Sequence, residues 1–151
     1  MAPRHTKILL GPTRKNDPQV AEHKVAADGF LPGQLVVINN NLFELAVAAS
    51  TGRVFLLQEH YLAMKGVDAP YRYSADPDGI TDTALGLEME DDVIYAARVA
   101  TGQDVKKGAA LALGAGGNLV LGTGSNRVVA YAHESFNNTT GAPALVAVRK
   151  A

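Results

Sequence analysis

Val93–Lys150 reads VIYAARVATGQDVKKGAALALGAGGNLVLGTGSNRVVAYAHESFNNTTGAPALVAVRK. Short runs of Val, Leu and Ala are broken every few residues by Gly, Asn or Pro, the pattern of an all-β barrel or sandwich. The spacing predicts strands near Val93–Ala100, Ala109–Leu113, Asn118–Leu121, Arg127–His133 and Ala144–Val148. GAGG (Gly114–Gly117) and GTGSN (Gly122–Asn126) then read as hairpin turns. A phosphate cradle needs such glycines between a strand and a helix, and here strands follow on both sides.

Outward from this stretch, composition sets bounds. A chain of 151 residues with 47% hydrophobic content can bury one core, and only 6% of residues are aromatic, so small branched side chains fill it. The net charge of -1 gives no field to attract nucleic acid or an anionic membrane. The absence of Cys excludes disulfides, thiolate nucleophiles and Cys-ligated zinc. No apolar run reaches membrane-span length and the start lacks a secretory h-region, so a soluble protein made in a cytoplasm is expected.

Residues 1–25 form a Pro-broken basic segment: Arg4, His5, Lys7, Arg14, Lys15, His23 and Lys24 against Asp17 and Glu22. It reads either as a frayed terminus or as an extended arm that orders on a partner, with Ile8, Leu9 and Leu10 as an apolar anchor and Arg14 and Lys15 as polar contacts. Residues 26–151 form the barrel-like domain. In it FLPGQLVVI leads into a strand at Leu35–Ile38, followed by Leu42–Ala49 and Arg53–Leu57 as a meander. Residues of about 58–92 read as a long acidic loop in which Tyr71, Arg72 and Tyr73 form a candidate contact, with simple packing of the two tyrosines onto the barrel as the other reading.

No cluster is spaced for catalysis. The run Glu88, Glu90, Asp91, Asp92 lacks the alternation and bend glycine of a calcium loop, and His5, His23, His60 and His133 lack zinc spacing. Ser125 has no GxSxG elbow, and Asn137 and Asn138 read as turn residues. No metal, cofactor or catalytic residue is assigned. Ala63-Met64-Lys65-Gly66 is similar to the lysine hairpin of biotin-carrier domains, but the Met after the lysine is missing. A small β-barrel carrier or binding module of a bacterial enzyme complex is therefore the alternative reading.

The ordered set FLPGQLVVI, VATGQDVKKGAAL, GNLVLGTGSNRVVAYAHES and ALVAVRK resembles the head decoration (cement) proteins of tailed bacteriophages, the β-tulip group. The likeness covers Phe30–Ile38 and Val93–Arg149. It implies a non-enzymatic protein on the outside of an expanded icosahedral capsid, a homotrimer at three-fold and quasi-three-fold positions. There it clamps adjacent major capsid subunits, binding neither nucleic acid nor membrane. The resemblance transfers no single binding residue. Ile8, Leu9, Leu10, Arg14, Lys15, Tyr71, Arg72 and Tyr73 are candidates read from the sequence itself.

Overall fold

The computed structural model describes residues 4–11, 20–60, 66–68 and 71–151. Among them the chain is all-β, as the alternation of apolar runs and turn residues requires. In order come β1 (Leu9–Gly11), β2 (Val20–Val25), β3 (Leu35–Asn39), β4 (Leu42–Leu45), β5 (Phe55–Leu57) and β6 (Thr83–Leu87). They are followed by β7 (Ile94–Val99), β8 (Asp104–Val105), β9 (Ala110–Leu113), β10 (Leu119–Leu121), β11 (Val128–Ala132), β12 (Phe136–Asn137) and β13 (Ala144–Lys150). Strands β2 to β6 close one barrel; β7, β9, β10, β11 and β13 close a second through the β7–β13 pairing. Closure leaves neither set with a free edge along its length.

The two barrels have the same topology. In each, the first strand pairs in parallel with the third, and the ring continues antiparallel through the second, fourth and fifth strands back to the first. The registers match as well: Val25 lies opposite Phe43 as Val99 lies opposite Leu119. Bonds outside the ladders recur at equivalent places. Ala26 N–H donates to Phe43 O as Ala100 N–H does to Leu119 O, and Gly33 N–H to Leu57 O as Gly108 N–H does to Ala132 O. Gly29 N–H donates to Tyr73 O as Gly102 N–H does to Asn138 O, so the Phe30–Tyr73 bridge is the counterpart of the β8–β12 ribbon. Even the tips of the β3–β4 and β9–β10 hairpins agree: Asn40 and Asn41 in one, Gly116 and Gly117 in the other, all at positive φ. The molecule is a structural duplication.

Period-2 alternation joins the two halves. On β3 and β5, Val36, Phe55 and Leu57 point into the first barrel with Val25, Phe30, Phe43, Tyr73 and Ala84. Their neighbours Leu35 and Leu56, with Leu87 on β6, belong to the core that runs through the second barrel. Arg98 of β7 is buried at the junction. Its Nε donates to Pro32 O at 2.8 Å, and its terminal nitrogens donate to Val67 O and Pro143 O. Burial pulls its pKa down from the usual guanidinium value, with Asp68 opposing. Three separate loops thus end on one cation, and Gly33, at φ +87, leaves room for it: an added Cβ would lie 3.3 Å from Arg98 Cγ and 2.4 Å from Leu145 Cδ2.

The expected all-β barrel class holds, and the structure corrects its internal divisions. Residues 20–25, assigned to the arm, form β2, a wall of the first barrel. Residues 83–87, assigned to the acidic loop, form β6. The predicted meander is instead ordered β4–β3–β5, because β5 crosses to the far side of β3. GAGG does turn β9 into β10, but GTGSN carries the chain past β9 to β11 and is a crossover. No helix of the described residues is long and apolar enough to cross a membrane.

Candidate functional site

The candidate contact residues separate into distinct environments. Ile8 is fully buried in the core beside the second barrel, with Leu9 and Leu10 packed against that core half-buried. The arm is docked on its own chain: Leu9 and Gly11 pair with Tyr95 and Ile94 of β7, and Ala96 N–H donates to Ile8 O at 2.6 Å. Docked this way, Ile8 has no surface to offer a partner. Arg14 and Lys15 lie outside the described residues, as does Lys65.

Two carboxylates fasten the arm. Glu59 Oε2 accepts the Ile8 N–H at 3.1 Å. Glu134 receives Arg4 through two nitrogens at 3.0 and 3.2 Å, His5 Nε2 at 2.7 Å and the Ala147 N–H at 2.8 Å. The Arg4 guanidinium also lies 4.0 Å over the Phe136 ring, a cation–π contact. Burial pushes the Glu134 carboxyl up, but the hydrogen bonds from His5 and Ala147 and the Arg4 charge outweigh it and hold it below the usual carboxylate range.

Tyr71 and Tyr73, grouped as one contact, face opposite ways. Tyr71 is 39% exposed and packs near Gly66, and Arg72 lies beside it on the surface, 3.9 Å from Asp28. Tyr73 is buried: its hydroxyl donates to Gln58 O, its ring stacks on His60 at 5.1 Å, and its backbone bridges Phe30. Burial, reinforced by the Glu59 and Asp82 carboxylates, pushes the phenol well above its ordinary value. Tyr73 is a wall of the first barrel and leaves the contact set to Tyr71 and Arg72.

Between the barrels an open cleft of about 210 Å³ is lined by Arg53, Val54, Glu88 and Met89 from the first barrel. The second supplies their counterparts Arg127, Val128, Lys150 and Ala151. Arg53 faces Glu88 at 3.6 Å. The counterpart of Glu88 is Lys150, so Arg127 has no matching carboxylate and donates across the seam to Gly52 O at 2.6 Å and to Ser50 O. Among the described residues no group of three His, Asp or Glu side chains is placed to hold a metal.

Sequence reasoning missed Glu134 and Arg98. Glu134 was legible only as the partner of a distant basic pair, and Arg98 as a lone charge inside a run that is otherwise apolar on both sides. Compared with known proteins, the chain matches no protein-family model and no curated protein.

Proposed function

We propose that this protein is a non-enzymatic capsid decoration protein. In this reading it binds the outer surface of the expanded head of a tailed bacteriophage as a trimer and clamps adjacent major capsid subunits. The supporting observation is the joined pair of closed barrels, whose shared core and Arg98 clamp make one stiff body, set beside the ordered turn-and-strand motifs that resemble such proteins. A stiff body suits a clamp: each copy covers a modest area, and many copies on a lattice gain by multivalency. The contact surface in this reading comprises Tyr71, Arg72 and the outward side of the docked arm, since Ile8 and Tyr73 are enclosed.

The test is co-sedimentation of the full chain with expanded capsids lacking it, from the same source. Saturable binding, weakened by Tyr71→Ser with Arg72→Ser, is the expected result. Absence of saturable binding would overturn the reading. Light scattering on the free protein reads the trimer separately.

A further inference from the structure

The row Leu35–Leu56–Leu87 runs across β3, β5 and β6 and is buried because the second barrel covers it. The matching row of the second barrel is Ala110–Tyr131–Arg149, across β9, β11 and β13. Nothing among the described residues covers it in the same way: Tyr131 is 45% exposed, and Ala110 and Arg149 are half-buried. The interbarrel junction is thus used once, and its second copy stands open. Two of its three leucines are replaced by tyrosine and arginine, residue types enriched among the energetic centres of protein interfaces.

The surroundings of that row are positive. Arg149 Nε donates to His133 Nδ1 at 3.1 Å, which places the imidazole on the same face. Partial burial, the Arg149 charge and then the Lys107 charge lower the His133 pKa, with Glu134 opposing. Glu134 is already occupied by Arg4 and His5, and neither Arg149 nor Lys107 makes an ion pair among the described residues.

We propose that the Ala110–Tyr131–Arg149 row is a docking face for an acidic segment of a protein partner. Tyr131 supplies a stiff amphipathic anchor, and Arg149 and Lys107 supply donors for carboxylates. A second copy docking through its first barrel fits less well. At the internal junction Gly117 approaches so closely that an added Cβ would lie 2.7 Å from Leu35 O, and its counterpart in the first barrel is Asn41, which carries one. The partner's identity as a shell subunit rests on the function proposed above; the face and its charge do not.

Two measurements test it. In the capsid co-sedimentation, Tyr131→Ser with Arg149→Ser is expected to weaken binding about tenfold or more, while Ile80→Ser, at a site 83% exposed and remote in sequence from the row, leaves it unchanged. Wild-type binding that ignores the double substitution would overturn the docking face and leave the decoration reading standing. Where the wild type does not bind capsids at all, the decoration reading falls and the face is tested alone. An amidated peptide of alternating glutamate and leucine is titrated while the His133 ring resonances are followed. The expected result is a saturable rise in the His133 pKa, absent in the double variant and absent with a glutamine–leucine peptide. No rise in the wild type overturns the proposal, as does a rise that the double variant retains. Concentration-dependent dimerisation abolished by the double substitution would assign the face to a second copy, and would likewise overturn it.

Discussion

The first and second barrels solve one folding problem with different side chains. Inside the first, Phe43 and Phe55 sit with ring centroids 6.1 Å apart, and Gly86 makes room for both: an added Cβ would lie 2.8 Å from Phe43 and 2.9 Å from Phe55. The counterparts of these three are Leu119, Ala130 and Val148, so two rings packed over a glycine are exchanged for aliphatic side chains that need no such gap. Tyr73, held through its hydroxyl and its ring, corresponds to Asn138, which is fully buried. The Asn138 amide nitrogen bonds Val99 O and Ala142 O at 3.0 and 2.9 Å. The hydrogen bonds of the buried polar side chain are satisfied at both places; the identity and size of the residues are not kept.

The outer faces differ more. Arg98 is buried on three carbonyls, whereas Lys24, its counterpart on β2, is exposed. Substituting Arg98→Ala should therefore have the largest effect, a loss on the order of 4 kcal/mol in urea unfolding from stranding three acceptors. Lys24→Ala should stay within about 0.5 kcal/mol. Equal effects would show that the junction around Arg98 is not what makes the halves unlike. Next, Leu56→Ala is expected to cost about 3 kcal/mol by opening a cavity between the barrels, and Tyr131→Ala, at the matching position, well under half of that. Comparable losses would mean that the outer row of the second barrel is already covered.

A smaller effect is expected where the arm is fastened. Glu134→Gln should lower stability by about 1 kcal/mol and speed hydrogen exchange at the Ala96 amide, which bonds Ile8 O. Exchange unchanged there would show that β1 holds without its carboxylate. The pH dependence carries a definite sign. Because the Glu134 carboxyl lies lower in the folded chain than in the unfolded one, its contribution is complete above the ordinary carboxylate pKa. It fades as pH falls through the depressed value. His133 acts in the same direction at higher pH. Its lowered pKa means that the unfolded chain takes up the proton first, so a small loss of stability begins as pH falls below the ordinary imidazole value. In Glu134→Gln the acidic loss should disappear and the histidine loss remain.

Much of the second barrel was legible because its strands are apolar on both faces and bounded by turn residues. Predicted Ala109–Leu113 became Ala110–Leu113, and predicted Ala144–Val148 became Ala144–Lys150. The first barrel was harder. β2 alternates correctly, with Glu22 and Lys24 outward and His23 and Val25 inward, but the charges hid the alternation; His23 in fact lays its edge on Phe43 at 5.2 Å. β6 was hidden by Gly86, a poor strand residue chosen for the space it leaves. The duplication itself left thin traces, such as Arg53-Val54 matching Arg127-Val128. Gly29 and Gly33 are four apart while their counterparts Gly102 and Gly108 are six apart, so no fixed period survives. Of the candidate contacts, sequence could not separate Tyr71 from Tyr73, because which neighbour faces inward depends on the bridge to Phe30.

The docking of the arm has a consequence for how the chain comes to be folded. Arg4 and Glu134 are separated by 130 positions, and the strand that receives Leu9 begins at Ile94. During synthesis residues 4–11 therefore have no complete seat until Glu134 has emerged, a delay on the order of ten seconds at ordinary ribosome speeds. The first barrel can close in that interval, since each of its strands pairs only within residues 20–87. Ile8 can enter only after β7 has formed, so a segment translated before the first barrel is seated after it.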